Sequence, residues 1–114
     1  MRNLGKSKNR LYTYVIDISK KETVMPLQGN QIVVHGHVQQ VGFRYATAQV
    51  ATTLNVTGYV LNRDNGDVEV RAYGDKSAVD ELIMWLREGP QQAQVNALEI
   101  TSIEYMKCDE FICT

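Results

Sequence analysis

Asn65-Gly66 stands between two β-rich runs, and that placement constrains how this chain can fold more than any other feature. Val56 to Leu61 is rich in β-formers. Beyond the Asn-Gly pair, Val68, Val70 and Ala72 alternate with Asp67, Glu69 and Arg71. Asn and Gly both tolerate φ > 0, so the pair reads as the turn of a hairpin. Its second strand has a dry face of aliphatic residues and a wet face of charged ones. On either side of the hairpin the hydrophobic period changes to that of a helix. Upstream, Phe43, Ala46, Val50 and Leu54 form one stripe, with Thr47, Gln49, Thr52 and Thr53 off it, which predicts a helix over 43–54. Downstream, Val79, Leu82, Ile83 and Leu86 predict a second helix, capped by Asp75 or Ser77 and ended by Gly89-Pro90. Ile32 to His35 reads as a short buried first strand, Val95 to Tyr105 as a long final strand, and Phe111-Ile112 as a short tail strand.

The order is therefore βαββαβ with a tail. Two crossovers of βαβ length around a hairpin predict an α+β fold, the ferredoxin-like split βαβ sandwich. Right-handed crossovers place both helices on one face of an antiparallel sheet. The face carrying Asp67, Glu69 and Arg71 is expected to be left to solvent. Such a fold hosts many functions and selects none of them.

A length of 114 residues suits one domain, and 44% hydrophobic with 22% charged residues is an ordinary globular balance. The net charge of −1 speaks against a non-specific polyanion binder, so no nucleic-acid partner is expected. The uncharged stretch Tyr45 to Asn62 is broken by Gln49, Asn55, Gly58 and four threonines, so no membrane partner is expected either. The charge is uneven along the chain. Residues 1–24 carry six basic side chains against two acidic, a net +4, and residues 25–114 carry six against eleven, a net −5. The apolar run Leu11 to Ile16 is short, Asp17 follows it at once, and no small-x-small cleavage site precedes Lys20, so a signal peptide does not fit. Leu11 to Ile18 alternates like a short strand. Residues 1–24 are read as a dispensable basic extension, with Met25 as an ordinary start and 25–114 as the domain.

Two stretches carry chemistry. The first is His35-Gly36-His37-Val38-Gln39-Gln40-Val41-Gly42-Phe43-Arg44. A strand that feeds a glycine-bracketed loop entering a helix aims several backbone N–H groups at one point, and the helix N-terminus adds a positive partial charge. Arg44 falls where the helix dipole repels a cation, a penalty that a bound anion would reverse. A surface Arg beside an irregular loop is the plain alternative, and the residues alone leave both open. The second stretch runs from Gly58-Tyr59 through Asn62 to Gly66, Val68, Val70 and Gly74. Asn is disfavoured inside strands, so the plain reading of Asn62 is turn chemistry before the hairpin.

These stretches resemble the two signature motifs of the acylphosphatases. Gly36 to Arg44 is similar to G-x-V-Q-G-V-x-F-R, and Gly58 to Gly74 is similar to G-Y-x-x-N-x-x-x-G-x-V-x-V with its later Gly. The resemblance covers about Gln31 to Ile112, including the W-L-x-x-G-P end of the second helix at Trp85 to Pro90, and leaves residues 1–24 uncovered. It implies that backbone amides of His37, Val38, Gln39, Gln40 and Val41 bind the substrate phosphate with help from Arg44, and that Asn62 holds the attacking water. The implied reaction is hydrolysis of a small-molecule acyl phosphate, a carboxyl-phosphate mixed anhydride, to carboxylate and inorganic phosphate. The implied enzyme is small and cytoplasmic and uses no metal or other cofactor; a monomer is expected. A carboxylate leaves readily, so positioning and electrostatics can carry the step without a general acid.

Gln40 stands where the family usually has Gly, and if that position needs φ > 0 the side chain adds strain. A catalytically impaired, anion-binding module of the same fold is therefore the alternative function. Leu61 replaces a residue that is often polar or basic, and His37 stands where Arg is common. The pair His35 and His37 has no third ligand at obvious spacing and reads as a strand end rather than a metal site. Cys108 and Cys113 read as reduced thiols. An RNA-binding ferredoxin-like domain would need aromatics on its central strands, and Ile32 to His35 has none.

Overall fold

The computed structural model describes residues 13–17 and 23–114. Its elements are strand β1 (Thr13–Asp17), strand β2 (Thr23–His37), helix α1 (Phe43–Thr53), strand β3 (Thr57–Asn62), strand β4 (Val68–Asp75), helix α2 (Lys76–Leu86), strand β5 (Gln94–Ile103) and strand β6 (Phe111–Cys113). From β2 onward this is the βαββαβ order with a tail strand. The sheet runs β5-β2-β4-β3-β6, and β1 pairs with the first residues of β2. The pairs are antiparallel, as expected, except that β6 runs parallel to β3.

Side-chain alternation places Val68, Val70 and Ala72 of β4, with Ile32 and Val34 of β2 and Val60 of β3, in the core. Val79, Leu82 and Leu86 of α2 cover them, and Phe43, Thr47 and Ala51 of α1 complete the layer. The stripe expected on α1 is thus displaced: Ala46, Val50 and Leu54 are only half-buried, while Thr47 and Ala51 are wholly enclosed. Small side chains at 47 and 51 let the helix lie close to the sheet, and close packing outweighs the larger aliphatics on the neighbouring stripe. The Thr47 hydroxyl is buried there with no hydrogen-bond partner among the described residues.

Three further expectations are adjusted. The first strand is much longer than Ile32 to His35, since β2 begins at Thr23 and Leu27 to Val34 pair with β4. The outer sheet face is not wholly left to solvent. Val33 and Tyr73 are buried on it, and Tyr105, from the segment after β5, packs edge-on against Tyr73 at a ring-centroid distance of 6.2 Å. Helix α2 has Asp75 at its N-cap, and the Asp75 side chain makes no capping hydrogen bond. It ends as expected near Gly89, at φ 72, where a Cβ would come within 2.6 Å of the Phe43 ring. That close approach, with the Phe43–Trp85 ring contact at 5.9 Å, fixes the start of α1 against the end of α2. Strand β1 falls within the basic extension, at the end of β2 remote from α1.

Candidate active site

The chain leaves β2 through a bulge. The register against β5 shifts between His35 and Gly36, and Gly36 adopts φ 137 with Gln94 and Asn96 so close that a Cβ would lie 2.1 Å from the Gln94 carbonyl oxygen. Only glycine permits this bend, which turns the chain out of the sheet toward α1. His37 still belongs to β2, opposite Gln94, so the open loop is Val38 to Gly42.

Within it, the side chains anchor and the backbone is free. Val38 is 1% exposed and sits in the core, and Val41 packs against its edge. The Gln39 side-chain amide donates to the carbonyls of Arg63 and Asp67, at 2.8 and 2.9 Å, which ties the loop to the β3–β4 turn. Gln40 takes φ 63 and Gly42 φ 77, while Val41 between them is not in the positive region. Alternating handedness of this kind is the backbone pattern of anion-binding nests, in which successive N–H groups turn toward one side. Among the described residues, no backbone N–H from Val38 to Gly42 finds a protein acceptor. The loop runs directly into the N-terminus of α1, whose first turn holds no acidic residue. The positive φ at residue 40 is the conformation for which Gly would be preferred, and Gln40 adopts it nonetheless.

Arg44 lies in that first turn. Its Nη1 donates to the Thr114 backbone oxygen at 2.8 Å, and the Thr114 N–H donates to the Val60 carbonyl at 3.0 Å. Because β6 runs parallel to β3 with Cys113 opposite Val60, Thr114 continues that register beside Leu61, one residue short of Asn62. The guanidinium is thereby held at the C-terminal end of β3. A guanidinium has five donors, so one bond to Thr114 leaves others for a ligand.

Asn62 is the last residue of β3 and pairs with Val68. Its Oδ1 is buried without a hydrogen-bond partner among the described residues. The hairpin is closed by other groups. Arg63 donates its N–H to Asp67 at 2.8 Å, Gly66 donates to Arg63 at 3.2 Å, and the Asp67 N–H donates to Asn65 Oδ1 at 3.0 Å. Turn chemistry therefore belongs to Asn65, and the Asn62 acceptor stays unused. A buried acceptor without a donor is costly unless something else supplies one.

The outer face braces this turn. The Arg63 guanidinium pairs with Glu69 at 3.0 Å, and Glu69 also accepts the Tyr59 hydroxyl. Burial and that bond push the Tyr59 hydroxyl up to about 12. Burial alone would raise the Glu69 carboxyl; the Tyr59 and Arg63 donors outweigh it and hold the group below the usual range. His35 stands between Asp67 at 3.0 Å and Glu99 at 2.8 Å, and hydrogen bonds to Glu99 and then Asp67 raise its pKa. Both imidazole nitrogens are thus occupied by carboxylates, and His37 is exposed. Cys108 and Cys113 are free thiols. Among the described residues, no helix is long and apolar enough to cross a membrane.

What sequence reasoning missed is the side chain of Gln39. The motif points to its backbone N–H, and only the fold reveals that its amide reaches across to the hairpin. A hollow between α2 and β5, lined by residues such as Met84, Arg87 and Leu98, includes no loop residue.

Residues 30–112 match the family model described as acylphosphatase. The acylphosphatase of Vibrio parahaemolyticus is 44% identical over 81 residues, which is 71% of this chain and 90% of that protein. Among solved structures, an acylphosphatase from Coxiella burnetii superposes with a TM-score of 0.73 at 35% identity, covering 75% of this chain and 90% of that one. The acylphosphatase from Bacillus subtilis also gives a TM-score of 0.73, at 30% identity, covering 77% of this chain and 98% of that one.

Proposed function

The chain belongs to the acylphosphatase family, and on that footing we propose that it hydrolyses small-molecule acyl phosphates to a carboxylate and inorganic phosphate. The observation that carries the assignment of roles is that, among the described residues, five loop amides and the buried Asn62 Oδ1 have no partner, while Arg44 in the helix turn after the loop is tied to Thr114 beside β3. The phosphoryl oxygens bind the N–H groups of Val38 to Gly42 at the positive end of α1, and the free guanidinium donors of Arg44 bind them as a fork. Thr114 holds Arg44 in place through its remaining bond. Asn62 Oδ1 accepts a hydrogen bond from a water molecule and aims its oxygen at phosphorus. The amide of Asn62 does not titrate and so takes no proton. The proton of the attacking water passes to a phosphoryl oxygen, the P–O bond to the acyl group breaks, and the carboxylate leaves. Each well-aimed donor in such a cradle is worth about 2–4 kcal/mol at the transition state.

The reaction needs no metal in this scheme, because the loop amides and Arg44 supply the positive field. The catalytic unit is one chain, since all of these groups come from it, and neither nucleic acid nor membrane takes part. A cytoplasmic location is consistent with two free thiols. Residues 1–24 are dispensable for turnover: β1 pairs at Leu27 and below, while the loop begins after His37, ten residues further along the strand and about 33 Å away. The impaired-binder alternative supposes strain at Gln40, and Gln40 does adopt a positive φ, so turnover is what separates the two readings. The deciding experiment follows loss of the anhydride of an acyl phosphate, with and without inorganic phosphate and EDTA. Turnover of order 10 per second, inhibited by phosphate and indifferent to EDTA, is expected. Measurable phosphate binding with negligible turnover would instead establish the binder.

A further inference from the structure

The Asp67 carbonyl accepts two hydrogen bonds, from the Gln39 side chain of the loop and from the Arg63 N–H of the turn. The Asp67 carboxylate, 15% exposed, is held in turn by His35 Nδ1, while His35 Nε2 faces the far more open Glu99. One residue therefore joins the phosphate loop to the outer face of the sheet. An ionised carboxylate only accepts hydrogen bonds, so a ring between two of them must donate from both nitrogens, which only imidazolium does.

We propose that His35 is a positioning residue for substrate binding: as imidazolium between Asp67 and Glu99 it pins the point at which Gln39 anchors the phosphate-binding loop. The proposal rests on the reading of Val38 to Gly42 as the phosphate site. The groups facing His35 are few. Asp67 comes from the turn before β4 and Glu99 from β5, Ala97 opposite it on β5 is uncharged, and in the next row Glu69 is taken up by Arg63 and Tyr59. His37, further along β2, has no ion pair among the described residues. When the ring loses its proton, one of the two contacts loses its donor and the other loses its charge assistance. The grip on Asp67 slackens, the Gln39 anchor loosens, and the loop amides converge less well on phosphate. The chemistry at Asn62 is untouched, so the effect falls on KM and not on kcat.

The test compares wild type with His35→Gln, whose neutral amide does not titrate, across pH. Taking the ratio at each pH cancels titration of the substrate and of phosphate. The KM ratio, and the ratio of inhibition constants for inorganic phosphate, should be about fivefold near pH 6 and fall toward one near pH 9, with kcat alike in both. Glu99→Gln keeps the Asp67 contact and should move the fall to lower pH, together with the His35 pKa read by NMR. A ratio that is elevated but independent of pH, a ratio of one throughout, or a fall in kcat alone would each overturn the proposal. A wild type that phosphate does not inhibit would overturn the loop reading itself, and the proposal with it.

Discussion

Two connections stand side by side at one end of this sheet, and they treat hydrogen bonds in opposite ways. The turn from Arg63 to Asp67 spends its polar groups on itself: its N–H and carbonyl groups pair, Asn65 caps it, and Glu69 and His35 brace its side chains. The loop from Val38 to Gly42 is anchored chiefly by side chains, Val38 in the core and Gln39 on the turn, and its backbone donors find no partner among the described residues. The same contrast separates two asparagines three residues apart, Asn65 with its oxygen engaged and Asn62 with its oxygen buried and unmatched. A scaffold lowers its free energy by satisfying most such groups, with Thr47 an exception here, whereas a site keeps donors and acceptors in reserve for a ligand.

That contrast is sharpest at Arg44, where the largest effect is expected. Arg44→Lys replaces a planar fork by a point charge and should lower kcat/KM about 100-fold or more with the fold intact. A steady-state assay with circular dichroism as the control checks this, and a loss under about threefold would remove Arg44 from the mechanism. Next comes the pair of asparagines. Asn62→Ala should lower kcat about 30-fold while phosphate inhibition persists, because water is positioned only in the chemical step. Asn65→Ala should leave kcat alone and cost about 1 kcal/mol in urea unfolding. If the two variants behaved alike, the division between turn and site would fail. Gln39→Ala should raise KM about tenfold with little change in kcat, since it removes two bonds that hold the loop in place. An unchanged KM would show that the loop stands without its tie.

The smallest effect is expected at Gln40. Gly there relieves left-handed strain of about 1 kcal/mol and adds chain entropy of similar size to the unfolded state. If residue 40 keeps this positive φ when phosphate binds, relief is equal in the free and bound forms. Gln40→Gly should therefore leave phosphate affinity within about twofold and unfolding free energy within about 1 kcal/mol. A tenfold gain in affinity would mean that Gln40 holds the loop away from its binding geometry.

Much of this was legible in the residues. Alternation at Val68, Val70 and Ala72 placed the core face of β4, and the spacing of Val79, Leu82 and Leu86 placed that of α2, because burial imposes those periods directly. The two motifs placed the loop, Arg44 and Asn62 in one region. Less legible was what depends on distant partners. The stripe on α1 turned on how closely Thr47 and Ala51 approach the sheet, and the parallel pairing of β6 has no signature in Phe111 to Cys113 itself. The partners of Gln39, Arg44 and His35 lie 24 to 70 residues away in sequence. No local pattern marks such contacts, which the assembled sheet alone brings within reach.

The reserve of unused donors is most directly tested by titrating the protein with inorganic phosphate and following every backbone amide by NMR. The N–H groups of Val38 to Gly42 should shift together and saturate with one affinity, which Arg44→Lys should weaken. The amides of Arg63, Gly66 and Asp67, already bonded within the turn, should barely move. Shifts confined to the turn, or none in the loop at phosphate concentrations that inhibit turnover, would contradict the assignment of the loop as the phosphate site.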